Sequence, residues 1–202
     1  MDFIYERFKT AAGVKLEVVT GGNHYKGNVW RQIALQVYCE NGKEDYRDIG
    51  HFKSGAPFIY GEDARISMSH TDGCLVVATI PVSPDTNLSE FSPAAALGVD
   101  VENANREKVV KLRERFLTEP ELKIIPAESL EANITAWTCK EAMLKAGMDS
   151  SINWHSDIII TALPRYDLPG AGYINLDGVR HDFQLHTIPY ENFIISVART
   201  PQ

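Results

Sequence analysis

Three stretches of this chain combine residue types that can do chemistry. In Gly98-Val-Asp-Val-Glu102 the two acids stand two residues apart. Read as a strand, that spacing turns Val99 and Val101 to a core and sets Asp100 and Glu102 together on the other side. Adjacent carboxylates repel unless a cation lies between them or one is protonated. Paired hard oxygens suit Mg²⁺, which keeps waters and substrate phosphates as its other ligands. The same pattern also fits a half-exposed strand with a solvated acidic face. In Trp137-Thr-Cys-Lys140-Glu141-Ala-Met-Leu-Lys145, helical spacing stacks Trp137, Glu141 and Lys145 on one face. Glu141 can add a third carboxylate to the pair, and Lys145 can meet a phosphate. Equally, these are an i,i+4 pair worth ~0.2–0.5 kcal/mol on an exposed helix, with Trp137 as a core anchor. Ser67-Met-Ser69-His70-Thr71 sets an imidazole beside hydroxyls at a strand end, able to bind phosphate oxygens, although a His near a turn is as readily structural. No G-x-S-x-G elbow, Walker A loop or G-x-G-x-x-G is present, so neither Ser-His nucleophilic catalysis nor those nucleotide loops are supported.

The elements that must position these residues alternate between short strands and amphipathic helices. Val14 to Thr20 is β-branched and reads as a strand. Trp30, Ile33, Ala34, Val37 and Tyr38 recur at helical spacing, ended by Asn41-Gly42. Two apolar runs, 66–70 and 75–80, flank Asp72-Gly73 as a hairpin. Residues 81–93, rich in Ser, Pro and Asn, read as a linker. Beyond it come a strand at 97–102, a helix at about 106–117, a capping box Thr118-x-x-Glu121 opening a short helix, and a helix over 134–148. Runs at 157–161, 173–176, 181–186 and 193–198 complete an antiparallel sheet. A His-Thr pair before an apolar strand occurs twice, at His70 and His186. That echo predicts an α+β fold of two similar α/β halves, residues 1–91 and 92–202, related by a pseudo-two-fold with the site in the cleft between them.

The chain has 202 residues, 44% hydrophobic and 23% charged, which is globular composition and excludes disorder. Twenty Lys and Arg against 27 Asp and Glu leave a formal charge of −7 and a pI near 5.4. Such a field does not coat nucleic acid or an anionic membrane, but a local cluster of cations still binds an anion. Cys39, Cys74 and Cys139 lack metal spacing and are too few for a disulfide framework. With an acid at position 2 and no run near the ~20 apolar residues of a span, the expected address is the cytoplasm.

Taken in order, the three stretches resemble the 4′-phosphopantetheinyl transferase superfamily. Its pattern is a Ser-His element, then G-[IV]-D-[IV]-E, then W-x-x-K-E-x-x-x-K, here Ser69-His70, Gly98 to Glu102, and Trp137 to Lys145. Phe116-Leu-Thr118-x-x-Glu121 resembles a further element, F-x-[ST]-x-x-E, and weaker similarity extends over about residues 45–148. The length is similar to the surfactin-synthetase-activating type, a monomer of two similar halves. The resemblance implies transfer of 4′-phosphopantetheine from coenzyme A to a serine of an apo acyl or peptidyl carrier protein, with adenosine 3′,5′-bisphosphate as the other product. It implies that Asp100, Glu102 and Glu141 hold Mg²⁺, with Mn²⁺ as the alternative, and that Glu141 acts as base. Lys145 would neutralise a phosphate. Ser69 and His70 would contact coenzyme A phosphates, joined by Lys140 unless that residue is a surface charge. Arg31 would match a basic coenzyme A contact. For Glu121 the capping role suffices.

Two departures stand out. The family's Y-G-K-P element reads Ser54-Gly55-Ala56-Pro57, without its lysine, for which Lys53 or Arg65 are the candidate substitutes. After Lys145 a G-x-G turn is reduced to Gly147. The missing lysine motivates an alternative, a non-catalytic coenzyme A or carrier-protein binder of the same fold.

Overall fold

Alternating side chains sort the strands of this chain into two antiparallel sheets, each covered by helix on its outer face. The computed structural model describes residues 3–10, 13–22, 24–41, 46–165 and 167–201. In chain order the elements are β1 (Phe3–Lys9), β2 (Lys15–Gly21), α1 (Gly27–Glu40), β3 (Ile49–His51), β4 (Pro57–Ile59), β5 (Ala64–Thr71) and β6 (Cys74–Pro81). A 3₁₀ turn, Pro93–Ala95, leads into β7 (Leu97–Asn103), α2 (Lys108–Phe116), α3 (Glu119–Ile124), α4 (Leu130–Gly147), β8 (Ile158–Ala162), β9 (Gly170–Leu176), β10 (Val179–Tyr190) and β11 (Phe193–Arg199). The sheets run β1-β2-β6-β5 and β7-β11-β10-β9-β8, with β3-β4 a separate hairpin. The fold is mixed α+β. In the first sheet the last strand, β6, lies between β2, the second strand, and β5; in the second the last strand, β11, lies between β7, the first strand, and β10.

Period-2 alternation explains the layers. Val76, Ala78 and Ile80 of β6 pack with Leu97, Val99 and Val101 of β7 and with Ile195 and Val197 of β11 in a core between the sheets. Leu75 and Val77 point the other way, onto Trp30, Ala34 and Tyr38 of α1. On the far side of the second sheet, α4 and α2 bury Ala136, Met143, Val109 and Phe116 against Ile158, Ile174 and Leu185. The result is helix, sheet, sheet, helices. Each fully buried Val or Ile contributes roughly 1.5–3 kcal/mol to that stack.

Local signals act where expected. The β5–β6 hairpin closes on Asp72-Gly73, with Gly73 at φ +91. Helix α1 ends with Asn41 as its C-cap; Gly42 lies outside the described residues. Ser129 accepts a hydrogen bond from Ala132 N at 3.1 Å, starting α4 four residues earlier than apolar spacing predicts. Residues 82–92 form no regular element, yet the Arg65 guanidinium donates to the carbonyls of Leu88, Glu90 and Ala95 and ties them down. No helix of the described residues is long and apolar enough to cross a membrane.

Candidate active site

The acidic strand comes first, because its neighbours decide what it can do. Strands β5 and β7 are edges of their own sheets, and three hydroxyls at alternate positions of β5 cross the seam between them. Ser67 Oγ accepts from Val99 N at 3.0 Å. Ser69 Oγ donates to Asp100 Oδ1 at 2.6 Å, and Thr71 Oγ1 reaches Glu102 Oε1 at 3.4 Å. In this structure the hydroxyl proton expected on a coenzyme A phosphate is directed at Asp100.

Helix α4 lies directly on β7 because Gly98 has no side chain: a Cβ there would stand 1.8 Å from the carbonyl oxygen of Ala142. This close approach brings Glu141 and Lys145 to Asp100. Lys145 Nζ donates to Asp100 Oδ1 at 2.7 Å and to the Val99 carbonyl at 3.1 Å. Asp100 Oδ2 and the Glu141 carboxylate take no hydrogen bond from a described residue. Burial first, and the Asp100 charge second, push the Glu141 pKa above its ordinary value, against the opposing pull of Lys145 and Arg106. Burial and a neighbouring carboxylate both disfavour the ionised form.

Glu102 is more heavily engaged. Its Oε2 is ion-paired with Arg106, its Oε1 accepts from Asn103 N at 2.8 Å, and the Arg106 guanidinium lies 5.3 Å from the Trp137 ring centroid. Among the described residues no group of three or more His, Cys, Asp or Glu is gathered to hold a metal. The donor chemistry nevertheless fits Mg²⁺, which takes one or two carboxylates and leaves the rest of its shell to water and phosphate.

Two adjoining cavities open beside this cluster. One, of about 430 Å³, is lined by Arg31, Ser69, His70, Asp100 and Lys145, together with the β3–β4 hairpin. The other, of about 400 Å³, runs from Lys145 along Met68, Leu97 and Leu144 to the Ser54-Gly55-Ala56-Pro57 turn. The His70 pKa is lowered, by desolvation first and by Arg31 and Lys145 after it. Arg31, Ser69, His70 and Lys145 therefore share one cavity.

Lys140 does not. Successive helical residues lie about 100° apart, so Lys140 turns inward where Glu141 turns to the site. It is 0% exposed and its Nζ pairs with Glu121 Oε2 at 3.0 Å, out of reach of a bound phosphate. The expected coenzyme A contact is corrected to a structural ion pair. Glu121 also receives Thr118 N at 2.8 Å, closing the capping box, and Ile160 N at 2.8 Å. Arg65, a candidate substitute for the missing lysine, spends its guanidinium on three carbonyls, and Lys53 lines neither of the two cavities. Past Lys145, Met148 holds the left-handed cap position at φ 54, where glycine is usual. Sequence reasoning passed over Arg106 and His51. Only strand alternation through Ile49-Gly-His51 could have singled out the histidine.

A scan against known protein families matches residues 96–198, just over half of the chain, to the 4′-phosphopantetheinyl transferase superfamily. A comparison with curated proteins returned no match. The matched stretch runs from β7 to β11 and contains Asp100, Glu102, Glu141 and Lys145. The chain belongs to the 4′-phosphopantetheinyl transferase superfamily.

Proposed function

We propose that this protein transfers 4′-phosphopantetheine from coenzyme A to a serine of an apo acyl or peptidyl carrier protein, releasing adenosine 3′,5′-bisphosphate in a Mg²⁺-dependent reaction. The serine oxygen bonds to the phosphorus bearing the pantetheine arm, and the bond from that phosphorus to the bridging pyrophosphate oxygen breaks. Asp100 and Glu141 would hold Mg²⁺, or Mn²⁺, with Glu102, ion-paired with Arg106, as the third carboxylate. Held there, the ion would supply charge neutralisation for phosphoryl transfer. Glu141 accepts the serine proton, for which a raised pKa suits it. Lys145 holds Asp100 and faces the leaving phosphate. Arg31 and His70 bind phosphate oxygens, and Ser69 positions Asp100. The observation that carries this reading is Asp100 on the wall of a cavity that also presents Arg31, His70 and Lys145, with the Glu141 carboxylate close enough behind it to feel its charge.

In this reading residues 1–91 and 92–202 form two halves related by a pseudo-two-fold, as in the surfactin-synthetase-activating type, acting as a monomer in the cytoplasm. The placement of the last strand of each sheet beside its penultimate strand supports the relation between the halves. The test is incubation with coenzyme A, Mg²⁺ and a panel of apo carrier proteins. A phosphopantetheine mass gain on a carrier serine is expected, with Glu141→Gln losing it while remaining folded. Coenzyme A binding without mass gain across the panel would favour the non-catalytic binder, which the lysine-free turn at Ala56 motivates.

A further inference from the structure

The wall of the basic cavity opposite β7 is the β3–β4 hairpin, and its register decides which of its side chains face inward. Ile49 pairs with Ile59, Gly50 with Phe58, and His51 with Pro57. Ile49, His51 and Pro57 all line the cavity, as period-2 alternation requires of 49 and 51 and of the cross-strand partner of 51. The opposite face is locked by aromatic rings. The Phe58 ring centroid lies 4.6 Å from that of Phe52, the rings tilted, and meets Tyr60 edge-on at 4.8 Å. Gly50 leaves room for the Phe58 ring, since a Cβ there would meet its atoms at 2.3 Å. The turn that joins the two strands, residues 52–56, has Lys53 as its one charge, and Lys53 does not line this cavity. The imidazole at position 51 is therefore aimed into the cavity by a hairpin whose other face is fixed.

Lys145 spends two of its three N–H donors on Asp100 and the Val99 carbonyl, which leaves its third, with Arg31 and His70, as the assigned donors toward an anion. Neither Arg65 nor Lys53 lines this cavity, whereas His51 does. We propose that His51 is a phosphate-binding residue of this chain, donating an imidazole N–H to a phosphoryl oxygen of the ligand held by Arg31, His70 and Lys145. This rests on the transferase reading for the ligand's identity, coenzyme A, and on the cavity alone for its chemistry, a phosphoryl group.

Two ligands separate those two layers: coenzyme A, and inorganic pyrophosphate, each titrated calorimetrically into the full chain in Mg²⁺ buffer. His51→Ala is expected to weaken both by about tenfold, the loss of one hydrogen bond to a charged acceptor. His51→Lys is expected to restore most of it, since an ammonium on the same strand donates to the same oxygen. His51 is exposed, so thermal unfolding of both variants should match the unsubstituted chain. Equal affinity in His51→Ala would overturn the inference, as would a loss that His51→Lys does not restore. Failure of the unsubstituted chain to bind pyrophosphate would overturn it too. Pyrophosphate binding that depends on His51, without coenzyme A binding, would instead refute the transferase reading and leave this residue's role standing.

Discussion

Lys140→Met separates two accounts of the same motif residue. In this structure Lys140 and Glu121 are both 0% exposed and paired at 3.0 Å, and burial draws the Lys140 pKa down while the Glu121 charge pulls it back up. Methionine keeps the length of the stem but removes the only cation on Glu121 among the described residues, leaving a buried carboxylate with the Thr118 amide and hydroxyl and the Ile160 amide. Removing one partner of a buried pair costs about 3–5 kcal/mol. For a chain of this size each kcal/mol moves the midpoint by about 2–4 °C, so a fall of roughly 6–20 °C is expected. Denaturant unfolding measures the loss directly, and a coenzyme A titration below the transition measures binding. The double variant Glu121→Gln with Lys140→Met should regain most of the stability, because the stranded charge is gone. Coenzyme A affinity should stay within about twofold, since Lys140 makes no contact with the cavity. If Lys140→Met instead unfolded like the unsubstituted chain and bound coenzyme A tenfold more weakly, Lys140 would be a ligand residue and the buried-pair assignment would be wrong.

Two other outcomes follow from particular contacts. Gly98→Val drives a side chain into the Ala142 carbonyl, a backbone neighbour that cannot rotate away; a loss of about 3 kcal/mol or more is expected in denaturant unfolding, and native-like stability would show that α4 does not lie against β7. Glu17 is 1% exposed; burial alone would raise its pKa, but hydrogen bonds from Tyr5 and Lys15 and the Arg47 charge hold it at about 2. A folded pKa below the unfolded one contributes stability above pH 5 that is lost as pH falls toward 2. The shift corresponds to about 3 kcal/mol, so acid unfolding of Glu17→Gln should lack that component of the pH dependence.

The elements that bear the chemistry were legible because each carries a strong local rule. Val99 and Val101 alternate with Asp100 and Glu102, and a strand was the only element in which that alternation buries the valines. The capping box announced α3, and Asp72-Gly73 announced its hairpin. Strand β1 was missed because Glu6, Arg7 and Lys9 interrupt its apolar face; only Phe3 and Tyr5, packed on the α1 core, and Phe8, on the inter-sheet core, reveal it. Strands β3 and β4 are three residues each, too short for a period to register. Lys140 was misplaced for a different reason. Its motif position says that a lysine is required, whereas only the helix rotation and the partner 19 residues upstream say what it is required for. The roles of Ser69 and Arg106 were hidden likewise, since each depends on which carboxylate the fold sets beside it.

Electrostatics ties these placements to the acidic composition of the chain. A net charge of −7 sets the far field, but binding of an anion is decided within about one Debye length, ~8 Å at physiological ionic strength. Inside that distance the site's own acids are already answered. Lys145 offsets Asp100 and Arg106 offsets Glu102, so Arg31 is the charge left facing the cavity, and Glu141 is the carboxylate left without a direct partner. An acidic protein can therefore present a basic cavity and still keep one carboxylate in want of a cation. The groups that achieve this come from α1, β5, β7 and α4, which belong to both sheets, so the cavity exists only while β5 and β7 stay docked. A ligand that binds there stabilises the docked state alone, by about 2.7 kcal/mol at a hundred times its Kd. Binding and the integrity of the seam are thus one equilibrium: Ser69→Ala, which removes a rung of the seam, should weaken both together.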